Sequence, residues 1–225
     1  MIKASLRGNK NETDKKWFSD YCCSVLAGCE STYYSAMESI GSHKRDILVD
    51  RIEDTQEAQE DTQQQFKDAL ERYRSIVQFD GGDLQSMYNK LNSEFEDSES
   101  AAQGITDHID SVENVAEDLF AEWNEELKLY TSASLRREMQ SKLTTTKREY
   151  SQMLAAMRKA EKSTVSVLNS MRDQVLYLKH SLNARAIASI KGELAAIDSD
   201  VSRLIANMQK SIDESNRFIA KIKDQ

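Results

Sequence analysis

The chain has 225 residues, 39% of them apolar and 30% charged, with seven glycines and no proline. Proline breaks helix interiors and populates turns, so a chain this long without it excludes a loop-rich fold and favours long helices. A net charge of −8 disfavours nucleic acid, where affinity comes from cations displacing counterions, and three cysteines confined to the first thirty residues exclude a disulfide framework for the body.

Residues 1–16 are polar and include Lys3, Arg7, Lys10, Lys15 and Lys16. A short apolar run interrupted by Asp20 and Tyr21 then leads to Leu26, Ala27, Gly28 and Cys29. Basic residues, an apolar run and a small-residue site are the general form of an export signal. The tetrapeptide resembles a bacterial lipobox, in which small residues admit signal peptidase and the cysteine sulfur receives a diacylglyceryl group. On that reading 1–28 is an atypical lipoprotein signal segment, Cys29 carries the lipid, and 29–225 is a single helical coiled-coil domain. The alternative is a chance four-residue match in a tail. Glu30 stands where an inner-membrane retention signal usually has aspartate, and so points to the outer membrane. No other segment approaches the ~18 apolar residues needed to span a bilayer.

The body begins with a helix over 31–79, whose seam is Leu48, Ile52, Thr55, Gln59, Thr62, Phe66, Ala69, Tyr73 and Ile76. Thr55, Gln59 and Thr62 fall in three successive core layers, where polar residues fix register or admit water. Asp80, Gly81, Gly82 and Asp83 end the pattern. Paired glycines supply the positive φ that a helix end needs, and Asp83 caps the next start. The regular acidic ligands of a calcium loop are missing, so Gly81 and Gly82 mark a tight turn.

The second helix, over 84–130, carries a nearly unbroken heptad seam: Leu84, Tyr88, Leu91, Phe95, Ser98, Ala102, Ile105, Ile109, Val112, Ala116, Leu119 and Trp123, then Leu127 and Tyr130 after one extra residue. A stripe repeating every 3.5 residues can be covered only by other long helices. Residues 131–134 are a weak point where serine or threonine caps a third helix. Its seam runs Leu135, Met139, Leu143, Thr146, Tyr150, Met153, Met157, Ala160, Thr164, Val167, Met171, Val175, Leu178 and Leu182. At Asn183 the phase slips, and Ile187, Ile190, Leu194, Ile197, Val201, Leu204, Met208, Ile212, Ile219 and Ile222 make a last seam. Either Asn183 is a turn and cap, or the last two helices run on as one rod; matched lengths favour the turn.

Residues 84–130 hold twelve acids and two lysines, whereas 131–185 hold eleven bases and four acids. Such opposite charges flanking two seams favour pairing the second helix with the third. The expected fold is all-α: an elongated antiparallel bundle of three to four long coiled-coil helices, without a sheet.

From Leu26 onward the chain resembles an uncharacterised bacterial family of predicted envelope lipoproteins with one coiled-coil helical domain. The stretches that carry this are LAGC at 26–29, TYYSAMESIGSHKRDILVDRIEDTQEAQ at 32–59, QFKDALERYRSIVQFDGGDL at 65–84 and HSLNARAIASIKGEL at 180–194. The resemblance implies an exported, membrane-tethered protein of a Gram-negative envelope, and no activity.

No catalytic constellation is visible. His43, His108 and His180 have no spacing for a shared metal, no Gly-x-x-x-x-Gly-Lys-Ser/Thr loop is present, and no Gly-x-Ser-x-Gly turn marks a nucleophile. Met139, Met153, Met157 and Met171 lie on one seam and read as core. The expectation is a non-enzymatic lipoprotein without cofactor or small-molecule substrate, on the periplasmic face of the outer membrane. It would act as a scaffold or spacer, with the membrane as partner through Cys29 and an envelope protein or a second copy as partner through the seams. One alternative is a membrane-remodelling or pore-forming bundle; a second, if the lipobox is not used, is a cytoplasmic coiled-coil interaction protein.

Overall fold

The computed structural model describes residues 44–77 and 83–224. The chain divides into two units, Met1–His43 and Lys44–Gln225, and the second is a bundle of four helices. Leu26, Ala27, Gly28, Cys29, His43, Gly81 and Gly82 lie outside the described residues.

The helices are α1 (Lys44–Val77), α2 (Leu84–Leu129), α3 (Ala133–His180) and α4 (Ala184–Lys223). Polar side chains open α2, α3 and α4. Asp83 Oδ1 accepts from the Gln85 N–H at 3.0 Å and opens α2. Ser132 Oγ accepts from the Leu135 N–H and opens α3. After α3, the Ser181 N–H donates to the Leu178 carbonyl at 3.2 Å, and Asn183 Oδ1 accepts from the Arg185 N–H at 2.9 Å as α4 starts. Each short polar side chain satisfies an amide that the first helical turn leaves open. The last two seams are therefore two helices, with the turn at Asn183.

Neighbouring helices are antiparallel, because partners rise along one helix as they fall along the next. Lys44 pairs with Glu122 and Arg72 with Glu94 between α1 and α2. Arg158 meets Asp110 and Arg172 meets Glu99 between α2 and α3. Between α3 and α4, Glu149 pairs with Lys221 and Ser166 with Asp200. Gln56 reaches Asn216, and Arg74 reaches Asp198, so α4 returns to α1 and closes the ring. Across the centre, the buried Tyr73 hydroxyl donates to the Met171 carbonyl at 2.9 Å. At 1.5 Å per residue, the 48 residues of α3 extend about 72 Å.

The α1 seam is buried throughout, polar members included. In a ring each helix meets two neighbours, so it buries two adjacent stripes rather than one narrow seam. Adjacent buried pairs record this: Ala69 and Leu70, Val115 and Ala116, Val167 and Leu168, Phe218 and Ile219. The extra residue of the α2 seam also falls earlier than the heptad reading has it, between Ala116 and Phe120 rather than before Leu127. Phe120 is buried where Leu119 was expected, and Leu119 is only half-buried. Phe120 packs edge-on against Tyr150 at 5.4 Å, and Tyr150 against Phe218 at 6.1 Å, so three aromatic rings link α2, α3 and α4. The seam ends are less covered than expected. Leu84, Tyr88, Tyr130 and Met139 are half-buried, and Leu135 and Leu182 are exposed.

Burial pushes the Tyr73 hydroxyl well above its ordinary pKa of 10.0. Tyr150 is raised too, first by burial, then by Glu113 and Glu117, with Arg158 opposing. Above pH 10 the unfolded chain loses these protons while the bundle keeps them. Their stabilisation is therefore complete below about pH 10 and is lost as pH rises beyond it. Urea unfolding from about pH 8 to about pH 11 is expected to show this fall, and Tyr73→Phe to flatten it while lowering neutral-pH stability by about 1 kcal/mol.

Candidate functional site

Three features of the bundle have the chemistry to bind something, and each follows from a local property of the sequence. The first is the polar stretch of the α1 seam. Thr55 and Thr62 are buried, and each hydroxyl donates to the carbonyl one turn back, to Arg51 and Ala58 at 2.7 Å. This is the usual way a helix satisfies a buried threonine. Gln59 between them has no such route. It is fully buried, and neither its Oε1 nor its Nε2 has a protein partner.

The neighbouring surface of α4 is polar as well. Gln56 Nε2 donates to the Ile212 carbonyl at 3.1 Å and to Asn216 Oδ1 at 3.0 Å, which brings the Ser211–Ser215 turns of α4 beside the Gln56–Gln59 turns of α1. Ser215 donates to the Ser211 carbonyl at 2.9 Å, and the buried Ser211 Oγ is unpartnered. Amides and hydroxyls of this kind hydrogen-bond, but they do not exchange protons near neutral pH. The arrangement suits a bound water or another small neutral hydrogen-bonding group rather than acid–base chemistry.

The second feature is a groove of about 620 Å³ between α3 and α4. It exists because Ala155 and Ala156 are too small to fill the space between the helices. Its rim carries both signs of charge: Glu149 pairs with Lys221 at 2.6 Å and Glu214 with Arg217 at 2.7 Å. Lys159 and Lys210 add charge that neither pair neutralises.

The third is the ion-pair cluster between α2 and α3. Arg158 donates to Asp110, Glu113 and Glu161. Burial alone would lower the pKa of this guanidinium, but the three carboxylate hydrogen bonds outweigh it and hold the group further above its ordinary value. Arg172 pairs with Glu99 at 2.8 Å and lies over the Phe95 ring at 5.5 Å. These contacts realise the charge complementarity expected of the second and third helices. They fix which helices are neighbours, and they leave no free carboxylate partner for chemistry at Arg158.

His108 is half-buried on α2 and His180 is exposed at the end of α3. Among the described residues no group of three histidines, cysteines or acids is placed to hold a metal ion. Likewise, no described helix is long and apolar enough to cross a membrane. Met153, Met157 and Met171 are buried in the core. Ser211 and Ser215 were missed in the sequence, although their spacing of four beside Ile212 and Ile219 puts them on the buried side.

A family model described as a protein of unknown function (DUF2959) matches residues 33–222. No curated protein and no solved structure matches the chain.

Gln59 gives the site its sharpest expectation. Leucine there removes two unsatisfied buried polar atoms at similar volume and is expected to raise unfolding stability by about 1–2 kcal/mol, whereas Gln59→Ala leaves a hole and lowers it. Denaturant midpoints at unchanged slope read both. A fall with Gln59→Leu would instead mean that the amide holds a bonded occupant.

Proposed function

The chain belongs to the family so matched, whose function is unknown, and we propose that it serves as a non-enzymatic spacer or scaffold tethered by lipid on Cys29 to the periplasmic face of a bacterial outer membrane. One observation carries this reading: the described helices run end to end, and their start lies at one end of the bundle. Lys44, fifteen residues after Cys29, pairs with Glu122 at 3.0 Å, close to the α2–α3 turn. The α3–α4 turn stands at the opposite end, about 65–70 Å away along helices of 46 and 48 residues at 1.5 Å each.

A lipid near the first end and a partner near the second would make the function geometric. The bundle would hold a fixed distance between a bilayer and another envelope component. Two or more acyl chains suffice for stable anchoring, since each buried methylene contributes about 0.8 kcal/mol. Stiffness comes from the continuous core, not from surface ion pairs, which are worth roughly 0–1 kcal/mol each.

Intact mass of the protein recovered from a Gram-negative host expressing the full sequence tests the tether. The expected product is residues 29–225 plus acyl groups in the membrane fraction, with Cys29→Ala abolishing both the mass increment and the fractionation. The unmodified mass of all 225 residues in the soluble fraction would overturn the reading.

A further inference from the structure

The outer face of α2 and α3 carries side chains that the bundle does not use. Val165 and Leu176 on α3 are 53% and 45% exposed. Their spacing of eleven residues is about three helical turns, so they stand on one line. Arg158 and Arg172 lie on the same flank, two turns before Val165 and one before Leu176, and reach Asp110 and Glu99 of α2. The apolar line therefore borders α2. It is not an end effect, because α4 lies beside α3 at this height, where Ser166 donates to Asp200.

Outward charges on the two helices are opposite in sign. On α2, Glu96, Asp107 and Asp118 repeat the interval of eleven, are exposed and make no ion pair among the described residues. Glu96 and Asp107 accept only from the neutral amides of Asn92 and Gln103 one turn back. On α3, Arg148 and Lys159 repeat the same interval, and Lys162 follows about a turn later. These three cations are exposed and have neither ion pair nor hydrogen bond among the described residues. The pairs that join α2 to α3 use other residues, so an acidic stripe and a basic stripe are left over side by side.

The two stripes match in height. Counting from the Arg158–Asp110 pair, Lys162 is four residues along α3 and Asp107 three residues back along α2, which leaves them about 1.5 Å apart in height. By the same count Arg148 and Asp118 differ by about 3 Å. Within one chain these partners point outward rather than at each other. A second copy related by a two-fold axis parallel to the helices brings them together. That operation preserves height and lays α2 of each copy on α3 of the other, so every acid–base match is made twice. A two-fold axis across the helices would set α2 on α2, acid against acid. A uniformly acidic or basic partner would satisfy one stripe and be repelled by the other.

We propose that the outer α2–α3 face is a homodimer interface, in which Asp107 and Asp118 of each copy meet Lys162 and Arg148 of the other around Val165 and Leu176. The two copies point the same way, and the heptad seams, already buried within each chain, take no part. The proposal goes beyond the tether reading and does not rest on it. The full chain carrying Cys29→Ala, which cannot be acylated there, is followed by sedimentation velocity over a concentration series. A dimer that weakens with added salt is expected. Val165→Ser with Leu176→Ser should weaken it about tenfold or more. Asp107→Lys with Asp118→Lys makes both stripes basic, and Arg148→Glu with Lys162→Glu makes both acidic. Each charge variant alone should be monomeric, whereas an equimolar mixture of the two should dimerise again, because a basic face then meets an acidic one. Circular dichroism confirms that each variant is folded. A parent chain that is monomeric at every concentration, a dimer indifferent to the charge variants, or a mixture of folded variants that stays monomeric would each overturn the proposal. None of these outcomes bears on lipid at Cys29, which intact mass reads separately.

Discussion

The bundle depends on burying largely apolar stripes that continue for about eight to ten turns. In α2 the buried positions run from Leu91 to Leu127 without a gap longer than four residues, and only another helix of comparable length covers such a stripe. Four helices of this kind satisfy one another in a ring, each covered by two neighbours. The remaining features serve that requirement. The two described turns are short, and α2, α3 and α4 each open on a single polar side chain. The charges of α2 and α3 are opposed, so each helix finds the right neighbour.

The polar stretch of α1 is where the requirement is relaxed. Thr55 and Thr62 satisfy themselves through backbone carbonyls, so they weaken apolar packing without leaving an open hydrogen bond. Gln59 and Ser211 do leave atoms unpartnered, and both lie on the α1 and α4 sides of the ring. A buried amide of this kind lowers stability relative to leucine, yet it disfavours alternative registers in which it would meet an apolar layer. A long seam of repeating heptads has many such registers, because sliding by seven residues restores most contacts. One polar layer distinguishes them.

Much of this was legible in the sequence because heptad period and helix length are local properties. All nine α1 seam positions from Leu48 to Ile76 are buried, and the turn at Asn183 was signalled by a slip in phase. What was not legible depends on the ring. A single seam describes contact with one partner, so residues facing a second neighbour, such as Phe120, Phe218, Ser211 and Ser215, fell outside it. Leu135 continues the α3 pattern in sequence, yet it is exposed in the bundle. The polar layer could be read from Thr55, Gln59 and Thr62, whereas its α4 side required the cross-chain register that Gln56 and Asn216 reveal. Cys29, Gly81 and Gly82 lie outside the described residues, so the lipobox and the first turn rest on sequence alone.

The even number of helices sets the bundle's response to force. Its first and last helices begin and end at one side, as the pairs Lys44–Glu122 and Glu53–Lys223 locate them. Pulling those two ends apart would peel α1 from α4 one layer at a time, with only a few contacts under load at any moment. A pull between the start of α1 and the distant Ser181–Asn183 turn acts along the axis instead. Load then passes from α1 to its neighbours in shear, through every core layer at once. The same contacts make a weak seam in the first direction and a strong strut in the second.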